Sequence, residues 1–239
     1  MTALVLQARL DSSRLPQKAL LPLGGRSLIF RVMEALSSVP CGSKILACPE
    51  DSAAAFAPLA EEAGFTLVTG PRDDVLARYC LAIRQRGAER IIRATGDNPF
   101  VFTDAAVALN GEAEALGADY AGYSGLPCGA GVESVSSEAL LRAEREAGSQ
   151  AEREHVCPYL YGHPELFLLH RPLAPLRWQG PDVRVTVDTR EDYERAIALY
   201  GYLLPLPREE RKKGENVIAA SRRLFGGGDP KDAPPDTTV

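Results

Sequence analysis

Methionine, tryptophan and histidine are scarce in this chain, at 2, 1 and 3 of 239 residues. The cysteines (Cys41, Cys48, Cys80, Cys128 and Cys157) are odd in number, and no two stand in a Cys-x-x-Cys arrangement. That spacing argues against a disulfide framework and a zinc site, and leaves small apolar thiols in a reducing compartment as the expectation. His155, His163 and His170 do not show metal-ligand spacing either. No uncharged run approaches the ~20 residues needed to cross a bilayer. The apolar start Ala3-Leu4-Val5-Leu6 is too short for a signal segment, and no basic stretch precedes it. A basic excess is also missing: 27 Lys and Arg against 32 Asp and Glu leave a net charge of −5. Proteins that coat nucleic acid usually carry a basic stripe. The expectation is a soluble, cytoplasmic protein with no nucleic-acid or membrane partner.

What is present is ordinary for a globular chain: 45% hydrophobic and 25% charged residues. Residues 3–6 predict a buried strand, followed by a polar loop to Lys18. Ser27 is placed to cap a helix to about Ser38. Strands at 44–48 and 65–68 flank a helix over 51–63 that Gly64 stops. A helix over 73–86 ends at Gly87. A fourth strand, 90–94, runs into Thr95-Gly96-Asp97-Asn98-Pro99. Thr103 is placed to cap a helix to Leu116, and a strand at 119–123 follows. This βαβα alternation implies an α/β fold of three αβα layers around a mostly parallel central sheet. After Tyr123 the rhythm breaks. A Gly-rich loop over 125–131 leads to a strand at 132–135 and helices at 138–146 and 151–161. Strands at 166–170 and 183–187 precede a helix over 191–202. The main unit is expected over 1–205. Residues 206–239 should form a C-terminal helix within 208–224 and a flexible tail from Gly226.

Ligands of open α/β sheets bind beyond the carboxyl ends of the strands, so the first loop is the place to look. Gln7-Ala8-Arg9-Leu10-Asp11-Ser12-Ser13-Arg14-Leu15-Pro16-Gln17-Lys18 gathers three cations, two hydroxyls and several turn amides. Such a set suits a polyphosphate, although a solvated surface loop has the same composition. It is neither the dinucleotide-binding glycine pattern nor the P-loop pattern. Asp97 and Asp188 each follow a predicted strand and can converge at one sheet edge. Taken alone, Asp97 also fits an Asx turn and Asp188 a helix cap.

Residues 9–18, with Leu20 and Leu23-Gly24-Gly25, resemble the signature of cytidylyltransferases that make CMP-activated sugar acids. Within that family the pattern is that of the SpsF-like group, related to CMP-KDO synthetase. The resemblance continues at Gly70 with Asp73-Asp74-Val75-Leu76-Ala77-Arg78-Tyr79 and at Thr95-Gly96-Asp97-Asn98-Pro99. It returns at Glu152-Arg153-Glu154-His155-Val156 and at Thr186-Val187-Asp188-Thr189-Arg190-Glu191-Asp192. It thus covers about residues 3 to 200 in the expected order.

The resemblance implies a GT-A-like nucleotidyltransferase fold, CTP as substrate, Mg2+, pyrophosphate release, a role in surface polysaccharide synthesis and a homodimer. Asp97 and Asp188 would bind the metal and, with Arg9 and Lys18, be catalytic. Gln7, Ala8, Arg9, Ser12, Ser13, Arg14, Lys18, Gly70, Arg78 and Gly96 would bind the nucleotide, in a half spanning about 1–122. Backbone groups near Gln7 and Ala8 would read the pyrimidine. The acceptor half, about 123–205, offers Tyr123, Glu133, Arg153 and His155. Arg78 also fits an exposed helix charge, Arg153 a surface ion pair and His155 a structural residue.

The sequence departs from the family pattern in places. Asp11 and Gln17 stand where the family often has Gly, and Thr95 where CMP-KDO synthetase has Gln. Cys128 and Gly131 stand where a related stretch has Asp. A carboxylate in a phosphate loop repels its ligand unless it turns outward or meets a metal. Fewer carboxylates suit an anionic acceptor: a sugar acid, a phosphosugar or a phosphonate. Two other functions fit the same fold. One is a GT-A glycosyltransferase, which normally shows an Asp-x-Asp pair that Asp97-Asn98 lacks. The other is a nucleotide-binding regulator inactivated by Asp11.

Overall fold

In the computed structural model, which describes residues 1–226, β1 (Thr2–Gln7) lies inside a seven-stranded sheet. Its side chains alternate between two cores. Leu4 and Leu6 enter one, Ala3 and Val5 the other, and all are fully buried. Burying one such Leu contributes about 1.5–3 kcal/mol, so a strand apolar on both faces has to be covered twice.

A small antiparallel hairpin, β2 (Pro22–Leu23) with β3 (Arg26–Ser27), precedes α1 (Leu28–Leu36). Then come β4 (Ser43–Pro49), α2 (Ala53–Ala63), β5 (Thr66–Gly70), α3 (Val75–Arg86), β6 (Arg90–Thr95) and α4 (Thr103–Leu116). The second half supplies β7 (Tyr120–Ala121), β8 (Glu133–Ser136), α5 (Ser137–Glu146), α6 (Gln150–His155), α7 (Pro158–Gly162), β9 (Leu169–His170), α8 (Arg190–Leu203) and α9 (Gly214–Phe225). The strand order is β5-β4-β1-β6-β8-β7-β9. Only β8 runs antiparallel to its neighbours within this sheet. Apolar residues of α1, α2, α4, α8 and α9 fill one core, and those of α3, α5 and the α6–α7 region fill the other. The expected three-layer α/β architecture is therefore what the chain adopts.

The sheet grows from β1 in two directions, through β4 and β5 on one side and β6 on the other. Such a switch point opens a crevice at the carboxyl ends of the strands. Here it lies between Gln7 and Thr95, which are register partners.

Several local expectations need correction. The 183–187 stretch alternates like a strand, with Val183, Val185 and Val187 buried, but it does not join the sheet. Its backbone bonds go to loops: Cys128 donates to the Val183 carbonyl (3.0 Å), Val185 to that of Cys128 (2.8 Å) and Val187 to that of Asp97 (2.9 Å). The helix expected over 151–161 is broken into α6 and α7 at Val156, which has φ 77° and ψ −57°. The Cys157 amide donates to the His155 carbonyl there, 3.0 Å away, closing a γ-turn. The strands at 119–123 and 166–170 shrink to two residues each. Ser27 flanks α1 without making a capping bond, and Thr103 is the first residue of α4, behind Phe102. The C-terminal helix is α9, whose Val217, Ile218 and Ala220 enter the first core. The expected tail lies, beyond Gly226, outside the described residues. Among the described residues no helix is long and apolar enough to cross a membrane.

Candidate active site

The first loop is built to deliver Lys18. The Ala8 amide donates to the Ala47 carbonyl (3.1 Å), that of Leu10 to Ser52 Oγ (3.2 Å) and that of Leu15 to Ser12 Oγ (3.3 Å). Leu15 is buried beneath the turn. Gln17 then adopts φ 53° and ψ 28°, a left-handed conformation that glycine takes without steric cost. Lys18 follows, opening a short 3-10 turn. Its Nζ donates to Asp97 Oδ2 (3.1 Å), Asp188 Oδ1 (2.9 Å) and the Val187 carbonyl (2.8 Å).

Asp97 leaves the end of β6 next to Gly96. The Gly96 amide donates to the Gln7 carbonyl at 2.8 Å, and a Cβ at Gly96 would sit 2.8 Å from the Ala8 methyl. Asp188 arrives from the other end of the chain on the 183–187 segment. Gly129, at φ 89°, lets that segment pass, since a Cβ there would lie 2.5 Å from the Thr186 amide nitrogen. Two carboxylates far apart in sequence therefore meet at the switch point, as expected.

Asp188 sits in a cationic surround. Arg14 lies 3.0 Å from Asp188 Oδ1, and Arg184 donates to Asp188 Oδ2 at 2.8 Å. Arg184 also donates to Asp192 (3.0 Å) and approaches Cys128 Sγ (3.2 Å). Burial pushes the Asp188 carboxyl up, but Lys18, Arg14 and Arg184 together hold it below its ordinary value. Burial acts the same way on Asp192, and the Arg184 guanidinium and the Asp188 and Thr189 amides override it. Burial raises the Cys128 thiol.

Three oxygens thus surround one ammonium: two from carboxylates and one from the backbone. An all-oxygen set with few protein ligands suits a hard divalent ion such as Mg2+, which completes its shell with phosphates and water. Among the described residues no three His, Cys, Asp or Glu side chains gather as a self-sufficient metal cage.

Other expected residues fall in different surroundings. Arg9 is 43% exposed and its nearest anionic partner is Asp11, 3.9 Å away. Ser13 is exposed, while Ser12 holds the turn. The Gln7 carbonyl accepts from the Gly96 amide, and the Ala8 amide donates to the Ala47 carbonyl. Arg78 is fully buried rather than an exposed helix charge. It donates to the carbonyls of Pro71 and Arg72, and its stem fills the space beside Gly70, where a Cβ would meet it at 2.9 Å.

The acceptor candidates are largely engaged with protein. Arg153 donates to Asp74 (2.6 Å), the N-cap of α3, and to the carbonyls of Glu144 and Ala147 (3.0 and 3.2 Å), which makes it a tether between helices. His155 lies exposed at the end of α6. Tyr123 donates to Glu112 at 2.5 Å. Glu133 pairs with Arg93 and accepts from the Tyr120 hydroxyl at 2.8 Å. Arg184 and Asp192 were not singled out from sequence. An arginine inside an otherwise apolar alternating run, four residues before Asp188, is the signal that marks Arg184.

A family model described as Cytidylyltransferase matches residues 3–221. The chain belongs to the cytidylyltransferase family. It is a nucleotidyltransferase. This cytidylyltransferase is 32% identical over 203 residues to the spore coat polysaccharide biosynthesis protein SpsF of Bacillus subtilis, covering 82% of this chain and 85% of that protein. It superposes on a cytidylyltransferase structure from Leptospira borgpetersenii with a TM-score of 0.83 at 20% identity, over 93% of this chain and 94% of the other. A structure of CMP:2-keto-3-deoxy-manno-octonic acid synthetase complexed with CTP matches with a TM-score of 0.66 at 16% identity, over 84% and 98% of the two chains. At those identities the two solved structures establish the shared fold.

Proposed function

We propose that this cytidylyltransferase moves CMP from CTP to an anionic acceptor, with release of pyrophosphate, in surface polysaccharide synthesis. The acceptor class comprises sugar acids, phosphosugars and phosphonates. The observation that carries the proposal is the convergence of Lys18, Asp97 and Asp188 at the switch point. The CTP complex of the CMP:2-keto-3-deoxy-manno-octonic acid synthetase, and the polysaccharide role in the name of SpsF, support it.

Nucleotidyl transfer asks for alignment and charge neutralisation more than for covalent chemistry. Asp97 and Asp188 would hold Mg2+, which when bound offsets charge on the triphosphate. Lys18 would leave the aspartates and, with Arg9, take the β- and γ-phosphates and the developing charge, with Arg14 in support. Arg184 stays on Asp188 Oδ2, keeping that carboxylate ionised with Oδ1 turned to the crevice. Ser12, Ser13, Gly70, Arg78 and Gly96 would shape the nucleotide seat. An acceptor that is itself a carboxylate, phosphate or phosphonate is already ionised near pH 7 and needs no general base. Glu133 and Tyr123 remain the acceptor-side candidates closest in chain order to the Gly-rich loop. The protein is proposed to work in the cytoplasm as a homodimer, which light scattering of the purified chain tests.

The deciding experiment measures pyrophosphate release with each nucleoside triphosphate and pooled anionic acceptors, with and without Mg2+. Release with CTP, dependent on Mg2+ and yielding a product heavier than its acceptor by one CMP, is expected. Binding of CTP without turnover for any acceptor would instead identify a nucleotide-binding regulator, and turnover of a nucleotide sugar a glycosyltransferase.

A further inference from the structure

Asp11 is the residue least expected in a polyphosphate loop, and its surroundings explain its presence. Its Oδ2 accepts from Arg72 Nη1 at 3.0 Å, while its Oδ1 lies 3.9 Å from Arg9 Nε. The other terminal nitrogen of Arg72 pairs with Asp51. Three loops meet at this point: those after β1, after β4 and between β5 and α3. Leu10 bonds Ser52 Oγ beside it, and the buried Arg78 guanidinium holds the Arg72 carbonyl at 2.7 Å from below. The backbone of Arg72 is thereby anchored while its side chain spans Asp11 and Asp51.

We infer that Arg72 is a positioning residue: it draws the Asp11 carboxylate out of the phosphate path and leaves Arg9 free to meet the polyphosphate. The inference rests on the proposed function for the identity of the nucleotide, and on the loop alone for anion binding. Arg72, Asp11 and Asp51 have side chains 49%, 40% and 46% exposed, so their pairs add little to stability. What they govern is where charge stands when an anion arrives. Without Arg72, the cation nearest Asp11 is Arg9. Closure of those two on each other would take one cation from the ligand and leave a carboxylate facing it.

The test measures calorimetric affinity for inorganic tripolyphosphate, CTP and UTP in the full chain, for wild type, Arg72→Gln, Asp11→Asn and the double variant. Arg72→Gln is expected to weaken tripolyphosphate and CTP by about tenfold, while Asp11→Asn binds both at least as well as wild type. The double variant should return to within about threefold of wild type, a non-additivity that a purely structural Arg72 would not produce. Melting temperatures should agree within about 2 °C. Unchanged binding in Arg72→Gln overturns the inference. So does a double variant as weak as Arg72→Gln, which would mean that Arg72 touches the ligand directly. A wild-type chain that takes up no tripolyphosphate overturns it as well. If tripolyphosphate follows the expected pattern but CTP is not preferred over UTP, the role of Arg72 stands and the cytidine assignment falls.

Discussion

Lys18 and Asp97 are 79 residues apart in the chain and 3.1 Å apart in space. With Asp188 on its other side, the Lys18 ammonium occupies the point at which a divalent ion would meet both carboxylates. Under the proposed function, a metal would compete with this protein cation for the same oxygens. A bound nucleotide would resolve the competition by offering Lys18 phosphate oxygens instead.

Replacing Lys18 should therefore have two opposite effects. In Lys18→Gln, Mn2+ binding to the nucleotide-free protein is expected to tighten by about tenfold, because no ammonium repels it. CMP transfer is expected to fall by at least about a hundredfold, because charge on the phosphates loses a partner. Spin-resonance titration of Mn2+ and a pyrophosphate assay read the two. An unaltered Mn2+ affinity would remove the competition.

Asp188→Asn should abolish turnover while leaving the fold in place. The side chain is 16% exposed and meets three cations, so its loss costs roughly 1–3 kcal/mol. For a domain of this size that corresponds to a drop in Tm of about 3–10 °C. Loss of cooperative melting in the variant would assign Asp188 to the structure rather than to the chemistry.

Acid should act through the same cluster. Asp188 and Asp192 lie below their ordinary values in the folded state despite burial, owing to Lys18 and Arg184 respectively. Their contribution is present above the unfolded value of about 3.9 and disappears as pH falls through the lower folded values. Asp192→Asn is thus expected to be less stable than wild type at pH 7, with the gap narrowing below about pH 4. Urea unfolding at a series of pH values measures it, and a gap independent of pH would discount the charge.

Arg153 ties the N-cap of α3 to the end of α5, so Arg153→Ala should lower Tm and move the acceptor KM by less than about twofold. A raised KM at unchanged Tm would return Arg153 to the acceptor site.

The alternation of short apolar runs with Gly-stopped helices made the first half of the fold legible, because β1, β4 and β6 are buried on both faces and α2, α3 and α4 each end at a glycine. The 183–187 stretch misled because Val183, Val185 and Val187 have the period of a strand, and period does not reveal whether the partner is a strand or a loop. The break at Val156 was hidden for a related reason: positive φ at a β-branched residue is rare, and the surrounding packing imposes it. Arg9, Lys18, Asp97 and Asp188 stood out by chain order against the family pattern. Arg72 did not, since a guanidinium that serves another side chain leaves no local spacing, and Arg184 is marked only by its place four residues before Asp188.

Because Asp188 hangs from a seam between loops and not from a ladder of strands, the two halves of the proposed centre do not share one durability. Asp97 inherits the rigidity of the sheet, whereas the seam can breathe while the sheet stays shut. Warming should silence this enzyme before it melts, and reversibly, with amide exchange at Val185 and Val187 outrunning that of β1.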